Sequence, residues 1–254
     1  MRHPMVTLII VVALGAAVAG FVQGLSGFAF SLIALSIWAW VLDPKLAAVL
    51  AVFGGLTGQI IAVVTVRRGF DMKLLLPFVL GGLAGIPLGV ALLPRLDVPL
   101  FKSVLGIVLV VWCPIMLMSR SLPRVRVGGA AADAASGLVG GVMSGIGGLS
   151  GVIPTLWCTL RHLEKDRQRS VIQNFNLTML AVTMAAYVAT GAITRDMLPM
   201  FAVVALAVLI PALVGAKVYI GISESAFRRI VLLALTISGI ALLASALPRL
   251  LSGT

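Results

Sequence analysis

The chain has 254 residues, of which 61% are hydrophobic and 11% charged, with a net charge of +11 and a mean hydropathy of +1.17. A water-soluble domain of this length needs far more polar surface, while apolar runs of the roughly 20 residues needed to cross hydrocarbon recur from end to end. The composition excludes a soluble enzyme or a nucleic-acid-binding domain, because the basic residues fall in short connections between spans, as the positive-inside rule places them. The expected class is an all-α polytopic protein of the cell (inner or plasma) membrane, with the lipid bilayer around it and no nucleic-acid partner.

In chain order, MRHPMVTLIIVVALGAAVAG comes first. It imitates a secretory signal, with Arg2 and His3, an apolar run and Ala17-Val18-Ala19 as a cleavage site. We read it as retained, because cleavage would remove half of a segment whose counterpart later in the chain is internal. The apolar stretch from Met5 to Leu42 is too long for one span and is interrupted at Gln23-Gly24-Leu25-Ser26-Gly27. Three ordinary spans follow, at about 46–66, 74–93 and 100–119. The glycines of the second, Gly81, Gly82, Gly85 and Gly89, predict a face where helices approach closely.

Beyond the basic linker RSLPRVR the pattern starts again. Gly128 to Leu160 is interrupted across Gly140, Gly141, Gly145, Gly147, Gly148 and Gly151. The charged run RHLEKDRQR at 161–169 reads as a solvated loop, and spans follow at about 170–191, 197–216 and 227–247. Asp133 reads as a satisfied helix cap rather than a proton carrier. Cys113 and Cys158, far apart inside apolar runs, read as core thiols and indicate neither a disulfide framework nor a metal site.

The two halves repeat each other. GLSG recurs from Gly24 to Gly148, Lys45 matches Arg169, Asp71-Met72 matches Asp196-Met197, Ile86-Pro87 matches Ile210-Pro211, and Phe101-Lys102 matches Phe227-Arg228, all at a nearly constant offset. The division is into a first membrane repeat at 1–120, a cytoplasmic linker at 121–126 and a second membrane repeat at 127–254.

Loop charges decide between two ways of threading the broken segments. If each crosses once, Lys and Arg divide almost evenly between the faces. If each returns to its own side, Arg2, Lys45, Arg95, Lys102, Arg195 and Arg249 lie on one face and all other basic residues on the opposite, cytoplasmic one. Arms of about 15 residues, roughly 22 Å, are also too short to span about 30 Å of hydrocarbon. The expected fold is two inverted repeats, each a Gly-broken re-entrant hairpin plus three transmembrane helices, with both termini outside.

Irregular backbone at membrane depth survives only where protein or a wet cavity satisfies it, and paired broken segments in inverted halves point to a transport site. The second arm of each hairpin presents a helix N-terminus, which favours an anion. The candidate site residues are Gln23, Gly24, Ser26, Gly27 and Gln59 in the first repeat, and Ser144, Gly147, Gly148, Ser150 and Asn174 in the second. Thr57, Gln173, Asn176 and Thr178 are further polar residues on adjacent spans, which either bond across helices or line the pathway. Asn174 and Asn176 cannot share a helix face, so at most one points at a substrate.

An intramembrane serine protease is the competing reading of Gly-x-Ser-Gly. It fails because His3, His162 and all five lysines fall at termini, loops or span ends, which leaves a buried serine without a base. An anion channel of similar architecture stays open. The absence of Asp, Glu or His in mid-span leaves no evident proton relay, so the coupling ion, H+ or Na+, is unassigned, as is any oligomer; no cofactor is expected.

These residues resemble the sulfite exporter TauE/SafE family, also called the 4-toluene sulfonate uptake permease family. FVQGLSGFAFSLIAL is similar to its opening Gly-rich segment, and DPKLAAVLAVF and RRGFDMKLLLPFVLGGLAGIPLGVALL to its next two spans. GLVGGVMSGIGGLSGVIPTLW resembles its second Gly-rich segment, and SESAFRRIVLLALTISGIALL its last span. Ala29 and Ser36 stand where the first motif has glycine and proline. The resemblance implies a duplicated membrane domain and transport of small anions, typically sulfite, organosulfonates or related sulfur-containing oxyanions.

Overall fold

The computed structural model describes residues 2–65, 69–119, 122–125, 127–218 and 224–252. They form ten α-helices: α1 (Arg2–Ser26), α2 (Phe30–Trp38), α3 (Pro44–Thr65), α4 (Met72–Leu92), α5 (Val98–Leu117), α6 (Gly129–Gly147), α7 (Val152–Leu160), α8 (Lys165–Ala189), α9 (Leu198–Val218) and α10 (Glu224–Ser252). No strand occurs among the described residues. Seven helices, α1, α3, α4, α5, α8, α9 and α10, are long and apolar enough to cross a membrane. Arg67, Arg68, Arg120 and Arg126 of the charge division above, and Ser121 of the linker, lie outside the described residues.

The six ordinary spans stand close to their expected places, and Asp71 and Asp97 open two of them by accepting the N–H of Leu74 and Leu100. The charged run is a correction. Only residues 161–164 form a connection, and Lys165-Asp166-Arg167-Gln168-Arg169 are the first turns of α8, where Asp166 sits favourably at the helix's positive end.

The hairpin arms are also corrected. They are unequal rather than about 15 residues each: 25 and 9 residues in the first pair, 19 and 9 in the second. The cause is where each helix actually stops. Gly24 does not interrupt α1, nor do Gly140, Gly141 and Gly145 interrupt α6; the chain leaves helical geometry only at Gly27 (φ 84°) and Gly148 (φ 74°), which take the left-handed conformation. The 9-residue arms then rise about 14 Å, half the thickness of the hydrocarbon.

In both pairs the short arm doubles back along the long one. Trp38, at the end of α2, donates Nε1–H to the Val11 carbonyl in mid α1 at 3.3 Å. Arg161, just past α7, reaches Asp133 near the start of α6. Depth follows from α3. Gly148 lies against Val52, whereas the Gly27 carbonyl is bound by Gln59. Those two residues are seven positions apart, about 10 Å of rise, well inside the span Pro44–Thr65. Both breaks therefore sit in its interior.

The principal packing pairs exchange with one another when the first five helices are swapped for the second five. α1 lies on α9 as α6 lies on α4, α3 on α9 as α8 on α4, while α3 with α8 and α5 with α10 map onto themselves. The α4–α6 contact is the expected glycine face: a Cβ at Gly81, Gly85 or Gly89 would strike the α6 backbone, and one at Gly137 or Gly141 the α4 backbone. Large apolar residues such as Leu206, Ile210, Ile230 and Ile237 face outward, while Gln23, Gln59, Ser144, Gln173, Asn176 and Thr183 are buried. A lipid-facing exterior with polar groups gathered inside is what hydrocarbon solvent demands.

Candidate functional site

At the first break, Ser26 ends α1. Its hydroxyl donates to the Val22 carbonyl at 2.8 Å and accepts the N–H of Ala29 at 3.3 Å, so it closes the broken turn. The carbonyl of Gly27 has no continuing helix to bond, and Gln59 Nε2 donates to it at 2.7 Å from α3. One turn earlier Gln23 Nε2 donates to the Gly55 carbonyl at 2.9 Å. Two buried glutamines, each bonding a glycine carbonyl 32 positions away on the other helix or at its end, thus lock α1 to α3 beside the break. A Cβ on Gly27 would also come 2.5 Å from Gln173 Nε2 on α8.

Gly24 lies elsewhere. A Cβ there would strike the backbone of α9 at Ala212, so this glycine serves the α1–α9 contact rather than the break itself. Of the residues flanking the first motif, Ala29 takes the N-cap position of α2 and Ser36 bonds back to the Ile33 carbonyl within it. Thr57 bonds within α3, to the Phe53 carbonyl, and does not reach the break.

At the second break, Gly148 and Leu149 donate their N–H groups to the Ser144 and Met143 carbonyls, the paired bonds that close a helix on a left-handed glycine. Ser144 Oγ lies 2.8 Å from Thr183 Oγ1, and Ser150 Oγ donates to Asn176 Oδ1 at 2.8 Å, both partners being on α8. Gly147 packs on Leu35 of α2. A Cβ at Gly148 would stand 2.6 Å from Ser31 Oγ, and one at Gly151 would stand 2.9 Å from Asn176 Nδ2 and 3.3 Å from the Phe28 ring. The two breaks therefore touch each other.

The repeated tetrapeptide is out of register with this geometry. In the first GLSG the left-handed glycine is the last residue, Gly27; in the second it is the first, Gly148. The breaks correspond, but the letters that drew attention to them do not.

Asn174 is corrected. It is not at the breaks; its Nδ2 donates at 3.1 Å to the Gly69 carbonyl in the connection before α4. Asn176, two residues on and on the other side of α8, is the one that meets the second break, through Ser150. Asp133 is no helix cap. It accepts Arg161 at 2.6 and 2.8 Å and the Trp157 Nε1–H at 2.6 Å, and so fastens the end of α7 to α6.

A small cavity lies between the breaks, lined by Phe28, Ser31 and Leu32 from the start of α2 and by Gly148, Leu149, Gly151 and Val152 around the start of α7. The first turns of both short helices border it, and N–H groups of a first turn have no intrahelical acceptor. Trp112 of α5 donates Nε1–H to the Val152 carbonyl at 2.7 Å and meets the Phe28 ring edge-on at 6.2 Å. One tryptophan thus bridges the two breaks. The space between the breaks is uncharged, with an apolar flank, and at about 10 Å³ it has room for about one water. Among the described residues no cluster of His, Cys, Asp or Glu could hold a metal.

Phe28 and Ser31, which line the cavity, and Trp112 and Asn176, which bond or pack at the breaks, are residues that the Gly-Ser pattern does not single out. A signal for one of them is in the sequence: Gln173, Asn176, Thr183 and Tyr187 follow 3–4 spacing along α8, and that one face meets Gly27, Gly151, Ser144 and Gly145 in turn. Phe28 and Trp112 carry no such mark, since an aromatic within an apolar run reads as core.

The family model described as Sulfite exporter TauE/SafE matches residues 12–242. No curated protein and no solved structure matched the chain significantly.

Proposed function

Because this multi-pass membrane protein belongs to the sulfite exporter TauE/SafE family of transporters, we propose that it carries a small sulfur-containing oxyanion, sulfite or an organosulfonate, by alternating access. The observation that supports this most is the meeting of the first turns of α2 and α7 at one cavity in mid-span. Two positive helix ends would draw an anion without a buried cation, so releasing it need not break an ion pair.

The exchange symmetry of the helix packing supports a duplicated unit, at 1–120 and 127–254 about the linker 121–126. If α1–α2 turns back at its break as a re-entrant hairpin, as α6–α7 does, although α1 alone is long enough to cross, each unit has three full spans, an odd number, and the second unit is inverted, with the two hairpins entering from opposite faces of the cell membrane. Rocking of one unit against the other would expose the cavity to each side in turn. Among the candidate residues, Ser26, Gly27, Gln59, Ser144, Gly147, Gly148 and Ser150 shape or brace the two breaks, and Gln23 and Gly24 hold α1 against α3 and α9.

Flux of labelled sulfite and organosulfonates into proteoliposomes, with and without imposed pH and Na+ gradients, is the test. Saturable flux is expected, and the gradient that drives it names the coupling ion. Flux linear in concentration would indicate a channel, and no flux of any sulfur oxyanion would contradict the substrate class.

A further inference from the structure

We propose that Phe28 is the movable wall of the central site, whose ring closes the cavity toward the Lys217 end of α9 and limits the size of ion admitted; this rests on the reading above that the cavity takes an oxyanion. At about 10 Å³ the space holds about one water, and an ion of one sulfur and several oxygens needs several times that. A lining group must therefore give way before the ion enters. Gly148 and Gly151 have no side chain to move. Ser31 and Leu32 are buried within α2, and Val152 is buried in the first turn of α7. Leu149 is buried too, with its N–H on the Met143 carbonyl and its own carbonyl accepting the Val152 N–H.

Phe28 differs in each respect. It is half-buried and stands between the left-handed Gly27 and Ala29, the N-cap of α2, so neither helix holds its backbone. Its N–H reaches the Ser26 hydroxyl at 3.5 Å, a weak bond at that length. The ring lies over Gly151, where a Cβ would stand 3.3 Å from it, and meets Trp112 edge-on. Trp112 is fixed by its bond to the Val152 carbonyl, whereas a phenylalanine ring has no hydrogen bond to break and turns between staggered side-chain positions. The ring is the part that can swing, and Trp112 is the fixed part on which it closes.

Exposure along the chain gives the direction. Ser26 is exposed, Phe28 half-buried and Ser31 buried, so one ring separates the surface from the cavity. α1 and α9 run parallel here, with Gly20 against Val208 and Gly24 against Ala212 and Ala216, which sets Ser26 within about a turn of the exposed Lys217. An ion arriving from the face that Lys217 marks therefore meets the ring first.

The test uses the full chain in vesicles, with Cys113 and Cys158 replaced by alanine and a single cysteine at Ser31. A charged, membrane-impermeant thiol reagent is applied from the Lys217 face. Phe28→Ala should speed alkylation of Ser31→Cys by about tenfold or more, the factor for releasing an aromatic pair and its packing, and should leave a control Ser103→Cys, buried in α5, unchanged. Phe28→Leu should lie between, and it carries the test if the alanine variant does not fold. The wider site of Phe28→Ala should also raise the flux of benzenesulfonate relative to that of methanesulfonate. An unaltered rate at Ser31→Cys in both variants, an equal acceleration at Ser103→Cys, or an unchanged flux ratio would overturn this inference and leave the proposed function standing. Faster alkylation at Ser31→Cys alone, in a protein that carries no sulfur oxyanion, would overturn the proposed function and leave the closing role of the ring in place.

Discussion

The two helical hairpins build the same break with different fastenings. In α1–α2 the short arm is held by the Trp38 ring lying on Gly15 and by one neutral bond from Trp38 to the Val11 carbonyl. In α6–α7 it is held by the buried Asp133, which takes Arg161 and Trp157 together. The long arms differ in the same sense. α1 meets α9 glycine against backbone at Gly24 and Gly215 and more loosely at Gly20, whereas α6 and α4 meet so at six positions, Gly81, Gly85, Gly89, Gly137, Gly141 and Gly145. The second hairpin is therefore the tighter and more polar of the two. If one hairpin rocks while the other stays fixed, the first is the one with less to break.

The largest expected contrast is in the glycine faces. Gly141→Ala drives a methyl into the Gly82 carbonyl with no side chain to yield, and should cost about 3 kcal/mol or leave no folded protein. Gly20→Ala meets the Val208 backbone at 3.2 Å, a shift of a few tenths of an ångström. The helix-propensity gain of about 1 kcal/mol should leave it near neutral. Thermal unfolding in detergent compares the two, and equal losses would mean that the closeness of backbone approach does not set the cost at these glycines.

Next come the fastenings. Asp133→Asn leaves Arg161 without its carboxylate; since the Arg161 side chain is 26% exposed, the expected cost is about 2–3 kcal/mol rather than the full value for a wholly buried pair. Trp38→Phe removes one neutral bond and the part of the buried ring that lies on Gly15, and should cost about 1–2 kcal/mol. The reverse order of these losses would mean that the first hairpin is the rigid one.

The smallest effect belongs to the rim. Arg167, hydrogen-bonded to Asp71, together with the Leu74 N–H, holds that carboxyl below its ordinary range. A depressed folded value means stability that is present above the unfolded pKa and lost as pH falls through the folded one, so the tie between the α3–α4 connection and α8 weakens below about pH 4. The pair is exposed, so the effect should fade in high salt. Asp71→Asn should remove this acid sensitivity while leaving the Asp133 fastening untouched.

Much of this architecture was legible in the sequence because hydrophobic run length and left-handed glycines are local properties. The six ordinary spans and the existence of two breaks followed from them. The arm lengths did not, because a glycine in a helix reads the same whether it stops the helix or admits a neighbour, and only the neighbour tells Gly24 and Gly141 from Gly27 and Gly148. Asn174 and Asn176 posed a similar choice, which only the rotation of α8 resolved. Phe28 and Trp112 meet across 84 residues of chain, and no local pattern announces such a pair.

The central claim is that an anion sits between the two breaks. It is tested most directly by a single cysteine at Ser31, in a chain whose Cys113 and Cys158 are replaced by alanine, with alkylation rates measured in the presence and absence of methanesulfonate. Protection is expected at Ser31→Cys, saturating with the same half-maximal concentration as flux, and none at a control Thr190→Cys beyond the breaks. Equal rates with and without the anion at Ser31→Cys, in protein that still transports it, would place the site elsewhere.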